Sequence, residues 1–203
     1  RAAGVAQRIA PLVAGSVVNA GDGAHEHPTQ ALLDMLTIRR QCGTLAGLCI
    51  AIVGDITHSR VARSNIRGLT KMGAEVRVAG PATMLPPHLD KLGAKVYPNV
   101  EEAITDVDVV MCLRIQRERQ NEALLPSLKE YARFFGVDHE RLKRAKNNAL
   151  VLHPGPINRG VEISSGVADG DRSCILAQVT NGLAIRTALF YLLAGKGDDH
   201  AAH

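Results

Sequence analysis

Short apolar runs separated by longer helix-like stretches constrain the fold of this chain more than any other feature. Four of the runs are predicted to be buried strands: residues 48–53, 75–79, 107–113 and 149–152. Two weaker runs lie at residues 16–19 and 95–97. Runs that are apolar at every position, and not only at alternate ones, are typical of a parallel sheet covered on both faces.

Stretches with a helical pattern lie between these runs. They are predicted at residues 28–40, 59–72, 121–135, 139–146 and 178–194. Strands that alternate with helices favour an α/β fold, with a doubly wound, mostly parallel sheet flanked by helices. Residues 196–203 follow the last predicted helix and are small or polar, so we expect a flexible tail there.

The composition narrows the classes of function. A length of 203 residues suits one large domain, or one domain with part of another. Aromatic residues make up 3% of the chain, too few for the stacking platforms that bind single-stranded nucleic acid, and the net charge of +4 suits small anions. We find no signal peptide and no apolar run long enough to span a membrane. The four cysteines form no Cys-x-x-Cys motif, which favours a reducing cytoplasm.

The polar residues that follow the predicted strands mark the candidate site. In a doubly wound sheet, ligands bind outside the carboxyl ends of the strands. The residues at these ends are 19–22, Asp55, Arg114 with Gln116, and the segment 153–156. This set brings an arginine, a glutamine, a histidine and several Gly and Pro turns to one edge of the sheet.

His27 immediately precedes the predicted helix that begins at Pro28. The positive end of the helix dipole favours the neutral imidazole, whose N–H can donate to a carbonyl oxygen that gains negative charge in a transition state. Gln30 lies one turn further on and faces the same way. The alternative is that His27 and Thr29 only cap the helix. A metal site at His25 and His27 is rejected because these two ligands lack a third partner.

Two arginines at different strand ends are candidates for binding an anion. Arg60 lies at the start of the predicted helix at 59–72, in the segment that follows a predicted strand, where free backbone N–H groups favour an anion. Its guanidinium can bind a carboxylate through two hydrogen bonds, and Arg63 on the same face is a rival. Arg114 and Gln116 alternate at the end of another strand and so point the same way. For each arginine the alternative is an ion pair with an acidic side chain.

The segment His153-Pro154-Gly155-Pro156 follows the last predicted strand. Two prolines around a glycine predict a rigid turn with exposed carbonyl groups. Pro156 is a candidate for a cis peptide bond. Carbonyls held rigidly at a strand end can accept hydrogen bonds from an amino or amide group.

These motifs, in this order and spacing, resemble the carbamoyltransferase family, and most closely its aspartate-using branch. The segments that carry the resemblance are HPTQALLD at 27–34, IVGDITHSRVARSN at 52–65, HPGPINRGVE at 153–162 and QVTNGLAIR at 178–186. The resemblance covers residues 15–194. It implies two α/β domains, one for carbamoyl phosphate and one for the amino acid, and the transfer of a carbamoyl group to the amine of L-aspartate in pyrimidine biosynthesis.

The resemblance also implies roles for the candidate residues. His27 would polarise the carbamoyl carbonyl, and Gln30 would help to hold the carbamoyl group. Arg60 and Arg114 would bind the two carboxylates of aspartate, with Gln116 beside them. The turn at residues 154–156 would present the carbonyls of Pro154 and Gly155, which precede Pro156, to the amino groups. No metal or organic cofactor is implied.

The resemblance further implies a domain division and an assembly. Residues 1–26 and 182–195 are expected to be a remnant of the carbamoyl phosphate domain, and residues 27–181 the aspartate-binding domain. The family's Ser-Thr-Arg-Thr phosphate loop does not occur in the sequence, so we expect this polypeptide alone to be inactive or nearly so. The family forms homotrimers, a regulatory chain is compatible with the resemblance, and neither nucleic acid nor membrane is an expected partner.

Two other functions are weighed against this one. Ornithine carbamoyltransferase shares the fold and the first substrate, but its cationic second substrate does not need two arginines, and the sequence lacks its Ser-Met-Gly and His-Cys-Leu-Pro motifs. A non-catalytic module that binds dicarboxylates is favoured by the missing phosphate loop. It is disfavoured by the retention of His27, Gln30, Arg60, Arg114 and Gln116.

Overall fold

A single parallel sheet forms the centre of the molecule. The structure, a computed structural model, describes residues 2–115 and 127–194. Within these residues the strands are Cys49–Val53 (β1), Glu75–Ala79 (β2), Ala94–Tyr97 (β3), Val109–Cys112 (β4) and Leu150–Leu152 (β5). Their order is β3-β2-β1-β4-β5, and every neighbouring pair is parallel. The predicted α/β fold with a parallel sheet is confirmed.

Helices connect and cover the strands. They are Val5–Ile9 (α1), Pro28–Cys42 (α2), Arg60–Lys71 (α3), Val100–Ala103 (α4), Leu128–Phe135 (α5), His139–Leu142 (α6), Ser165–Ala168 (α7) and Ile175–Ala194 (α8). Short 3₁₀ turns lie at Ala10–Leu12, Ala82–Met84 and Leu89–Leu92. Helix α2 packs against both α3 and α8.

Both faces of the sheet are covered, as apolar strands require. In β1 the side chains of Ile50 and Ile52 belong to a core shared with α2 and α3, whereas Ala51 and Val53 belong to a second core shared with α4, α6 and α7. Since successive side chains of a strand point to opposite faces, a strand between two cores must be apolar at every position. The continuous apolar runs of the sequence are therefore a direct consequence of the two-sided packing.

Several predicted elements differ from the structure. Residues 16–19 form no strand; the Asn19 side chain instead accepts a hydrogen bond from the Gly21 N–H at 2.9 Å, a local bond that competes with strand pairing. The helix predicted at 139–146 ends at Leu142, because the Lys146 N–H turns back to the carbonyl of Val107 at 3.1 Å. Residues 116–126, which include the first six residues of the helix predicted at 121–135, and the predicted tail at 196–203 lie outside the described residues.

Helix α8 corrects the expectation that the sequence contains no apolar run long enough to span a membrane. Its 20 residues are long and apolar enough to cross a membrane by length and composition alone. Its inward face nevertheless carries the polar residues Gln178 and Asn181, which hydrogen bond with Asp34 and Thr37 of α2. These hydrogen bonds set the orientation of α8 against the protein core.

The ends of β1 and β2 approach so closely that only glycine fits at position 80. A Cβ atom added to Gly80 would lie 2.2 Å from the carbonyl oxygen of Gly54, which immediately follows β1. We expect Gly80→Ala to lower the free energy of unfolding by about 1–3 kcal/mol, because one strand end must shift. Gly15→Ala, where an added Cβ meets nothing within 4 Å, is the matched control and should change it by less than about 0.5 kcal/mol. Urea denaturation of both variants measures this, and equal effects would contradict the steric explanation.

Candidate functional site

A pocket lies at the carboxyl edge of the sheet, where the strand order reverses. The chain runs from β1 outward to β2 and β3, and then returns to place β4 on the other side of β1. Such a reversal leaves a crevice between the two connections, and ligands bind there in open α/β sheets. The pocket is lined by His27, Gln30, Ser59, Arg60, Val61, Leu113, Arg114, Pro154 and Gly155.

His27 occupies the N-cap position of α2 but does not cap the helix with its side chain. Its backbone N–H donates to the Ser64 hydroxyl at 2.9 Å, which ties the start of α2 to α3. The capping alternative for His27 is therefore wrong: the imidazole lines the pocket. Gln30 also lines the pocket, and its amide nitrogen donates to the carboxylate of Asp34 at 2.9 Å. The amide oxygen of Gln30 is the acceptor that this side chain can offer to a ligand.

The imidazole of His27 is held neutral at physiological pH. Burial, the largest cause, acts together with the positive charges of Arg60 and Arg186 to lower the pKa of His27 to about 4. A neutral ring was expected from the helix dipole, but burial and two arginines are the causes that the structure identifies. A neutral imidazole can donate a hydrogen bond without giving up a full proton.

Arg60 is the first residue of α3, and its guanidinium packs against the backbone of Gly21. A Cβ atom added to Gly21 would lie 2.6 Å from the central carbon of that guanidinium, so the loop at this point leaves room for Arg60. Ser59 caps α3 by accepting a hydrogen bond from the Ala62 N–H at 3.1 Å, which fixes where the helix begins. Arg63, the rival, lies outside the pocket lining, and its guanidinium faces the carbonyl of Thr57 at 3.5 Å.

Arg114 follows β4 and lines the pocket from the other side of the strand reversal. Because β1 and β4 are parallel neighbours, the segments that leave them begin side by side. Arg60 and Arg114, which follow different strands, therefore line the same pocket. Gln116, predicted to lie beside Arg114, is outside the described residues.

The turn after β5 forms the remaining wall. Pro154 and Gly155 line the pocket, and Gly155 has a φ of 67°, a conformation that glycine adopts without strain. The Gly155–Pro156 peptide bond is cis, as the sequence predicted. The Gly155 N–H donates to the Nδ1 atom of His153 at 2.9 Å, which anchors the turn to the buried end of β5.

The sequence prediction missed four residues of the site. Ser59, Val61 and Leu113 line the pocket only because they flank the two arginines. Arg186 acts at a distance through its charge on His27. It shares a face of α8 with Gln178 at a spacing of eight residues, and this helical periodicity is the signal that could have identified it.

The fold and the pocket together define a class of protein: a doubly wound α/β protein with a pocket at its strand ends that two arginines line. The sequence profile of the aspartate/ornithine carbamoyltransferase Asp/Orn-binding domain matches residues 46–193, and that of the carbamoyl-P-binding domain matches residues 1–40. The chain belongs to the aspartate/ornithine carbamoyltransferase family.

Individual relatives support this assignment. The chain is 63% identical over 194 residues to the aspartate carbamoyltransferase catalytic subunit of Ruminiclostridium cellulolyticum, covering 96% of this chain and 62% of that protein. It resembles the structure of ornithine carbamoyltransferase from Pyrococcus furiosus with a TM-score of 0.82 and 26% identity, over 94% of this chain and 63% of the other. Aspartate transcarbamoylase from Trypanosoma cruzi, solved with N-(phosphonacetyl)-L-aspartic acid, gives a TM-score of 0.79 and 27% identity, over 94% and 61%.

The chain therefore spans about three fifths of the length of the relatives it matches. The finer division of the chain, with residues 1–26 and 182–195 in one domain and residues 27–181 in the other, stays a prediction.

The neutral state of His27 is directly measurable. We expect its imidazole to titrate with a midpoint of about 4 and to show no titration near its ordinary value of 6.5. Arg186→Gln should raise this midpoint because it removes a positive charge that opposes protonation. Arg63→Gln, which removes a charge outside the pocket, is the control and should leave it unchanged. Nuclear magnetic resonance of the ring nitrogens measures all three, and a midpoint near 6.5 in the unsubstituted chain would contradict the structural cause.

Proposed function

We propose that this chain is the aspartate-binding part of an aspartate carbamoyltransferase. In this reaction the amine nitrogen of L-aspartate forms a bond to the carbonyl carbon of carbamoyl phosphate. The bond from that carbon to the phosphate oxygen breaks, the amine loses a proton, and N-carbamoyl-L-aspartate and phosphate are released. The observation that carries the proposal is the convergence of Arg60 and Arg114 on one pocket beside a neutral His27.

The pocket residues suit the two parts of the chemistry. A dicarboxylate needs two cations held apart, and Arg60 and Arg114 come from different strand ends. The carbonyl oxygen of the carbamoyl group gains negative charge as the tetrahedral intermediate forms, and the N–H of the His27 imidazole can stabilise it. Gln30 would hold the carbamoyl group through its amide oxygen. This catalysis relies on orientation and electrostatics and needs no metal or organic cofactor from this chain.

The turn at Pro154, Gly155 and Pro156 completes the proposed site. Its backbone carbonyls would accept hydrogen bonds from the amino groups of the substrates, which keeps the attacking nitrogen close to the carbamoyl carbon. Gln116 would assist Arg114 in binding a carboxylate.

The choice of aspartate over ornithine rests on charge. Two arginines in the pocket favour an amino-acid substrate that carries one carboxylate on its α-carbon and a second on its side chain. They repel a substrate with a cationic side chain. The relatives at 63% and 64% identity are named aspartate carbamoyltransferase catalytic subunits, whereas the ornithine enzyme of P. furiosus is 26% identical. From the resemblance of the sequence to the family, we further propose that the whole protein acts in pyrimidine biosynthesis in the cytoplasm, as a homotrimer with which a regulatory chain is compatible.

Complementation tests the activity. The chain is assayed with carbamoyl phosphate and aspartate, alone and mixed with the carbamoyl-phosphate-binding domain of a relative. We expect turnover in the mixture and little or none from the chain alone, because the Ser-Thr-Arg-Thr phosphate loop of the family does not occur in this sequence. Turnover with ornithine in place of aspartate would overturn the substrate assignment. Binding of dicarboxylates without turnover in any mixture would favour the non-catalytic module.

The contributions of Arg60 and Arg114 to ligand binding can be distinguished from that of Arg63. Succinate, an unreactive dicarboxylate, is titrated into the chain by calorimetry. Arg60→Ala and Arg114→Ala should each weaken its binding by about tenfold to a hundredfold, since each removes a charged hydrogen-bond pair. Arg63→Ala, on the same helix but outside the pocket lining, is the matched control and should change it by less than about twofold. A larger loss from Arg63→Ala than from Arg60→Ala would assign the carboxylate to the rival arginine.

A further inference from the structure

Gln178 of α8 uses both ends of its side-chain amide to join two walls of the pocket. It is 3% exposed. Its amide oxygen accepts a hydrogen bond from the backbone N–H of His153 at 2.9 Å, and its amide nitrogen donates to the carboxylate of Asp34 at 2.7 Å. Gln178 does not line the pocket itself, so any role that it has is exerted through these two partners.

On one side the hydrogen bonds continue to the turn after β5. The Nδ1 atom of His153 accepts from the Gly155 N–H at 2.9 Å, so the ring proton is on Nε2, which donates to the carboxylate of Glu162 at 3.2 Å. The same Glu162 oxygen accepts from the Asn158 N–H at 2.6 Å. His153 and Glu162 are each 1% exposed. The turn that carries Pro154 and Gly155 is thus held from below by buried groups.

On the other side the hydrogen bonds continue to Gln30. The Asp34 oxygen that accepts from Gln178 also accepts from the Gln30 amide at 2.9 Å, and its second oxygen accepts from the Asn65 amide at 2.8 Å. Asp34 is fully buried. The pKa of Asp34 is raised to about 6, because the effect of burial exceeds the opposing effect of the hydrogen bonds from Asn65, Gln178 and Gln30. Three amide donors around one carboxylate leave little freedom for the Gln30 side chain.

These bonds form one continuous buried path, from Glu162 through His153, Gln178 and Asp34 to Gln30. Its members are almost inaccessible to water, so a broken bond would leave polar atoms without a partner, which is costly in a medium of low dielectric constant. Side-chain arrangements that break any of these hydrogen bonds are therefore unfavourable. The path therefore fixes the distance between the wall at Gln30 and the wall at residues 154–155.

We propose that Gln178 is a positioning residue that sets the relative placement of Gln30 and of the turn at Pro154 and Gly155. The inference rests on the proposed function, since in that function the first wall holds the carbamoyl group and the second receives the amine. The amine nitrogen must approach the carbamoyl carbon within a narrow range of distances for reaction. A residue outside the pocket would then control the alignment of two substrates that it never contacts.

Three variants test this. Gln178→Met keeps the size of the side chain and removes both hydrogen bonds. Gln178→Glu keeps the acceptor for His153 but places a carboxylate against Asp34. Asn181→Leu is the matched control, because Asn181 is 4% exposed and bonds Arg40 and Thr37 in the same interface between α8 and α2, without a link to either pocket wall.

The first measurement needs no ligand. Nuclear magnetic resonance follows the backbone amide of Gly155 and the side-chain amide of Gln30 in the purified chain. We expect Gln178→Met to shift both signals and to speed hydrogen exchange at Gly155, whereas Asn181→Leu leaves both near their original values. A change at only one wall, or equal changes in the control, would overturn the proposal. The result does not depend on catalysis, so it stands apart from any failure of the proposed function.

In the Gln178→Glu variant the two signals should recover when the pH is lowered, which a purely structural defect would not show. At about pH 8 the introduced carboxylate and that of Asp34 are expected to repel each other, and the two signals should move as in Gln178→Met. At about pH 5.5 one shared proton lets the introduced carboxyl group donate to Asp34, and both signals should return towards their original positions. Further titratable or charged groups near this position include His153, Glu162, Arg186 and Arg40, so each spectrum is compared with the unsubstituted chain at the same pH. Absence of recovery would count against the proposal.

The functional consequence is measured in the complemented enzyme. We expect Gln178→Met to lower kcat by about tenfold or more and to change KM for each substrate far less, because alignment of bound substrates is what the path controls. Asn181→Leu should keep kcat within about twofold. An unchanged kcat in Gln178→Met, together with turnover by the unsubstituted mixture, would refute the positioning role while leaving the proposed function intact.

Discussion

The parallel ladder covered on both faces is the constraint on which the rest of this structure depends. Because the strands are parallel, each connection must cross a face of the sheet and return, and all carboxyl ends meet at one edge. The two cores that cover β1, one through Ile50 and Ile52 and the other through Ala51 and Val53, leave no polar position inside the strand. Polar groups are thereby displaced to the strand ends, where Arg60, Arg114 and the turn after β5 are found together.

The sequence predicted the parts of the structure that depend on local pattern. Continuous apolar runs identified four strands of the sheet and the weaker run at 95–97 a fifth, and the site residues could be found because ligands bind where such strands end. His27, Gln30, Arg60, Arg114, Pro154 and Gly155 do line one pocket. The strand wrongly predicted at residues 16–19 also has a local cause. These residues are apolar enough for a strand, but the Asn19 side chain accepts a hydrogen bond from Gly21 in its own loop. An apolar run alone does not reveal this competition.

The parts that could not be predicted depend on contacts between distant residues. Gln178 and Asp34 are separated by 144 positions in the chain, and neither lies at a strand end. Nothing in a periodic pattern distinguishes a glutamine that bonds a buried carboxylate from one that faces water. The same is true of Gly21, whose missing side chain makes room for the guanidinium of Arg60. Such pairings are set by the packing of α2, α3 and α8 on the sheet, which no single segment encodes.

The electrostatics of the pocket follow from the same packing. Helix α2 holds His27 partly buried, while α3 and α8 bring Arg60 and Arg186 near enough to oppose its protonation. A positively charged His27 would add to the charge that the arginines already supply, and burial removes the water that could screen it. The imidazole is therefore neutral before any substrate arrives. Anionic ligands would weaken the effect of the arginines, but burial, the largest cause, does not depend on them. A donor whose protonation state is fixed by the fold can stabilise developing negative charge without first exchanging a proton with solvent.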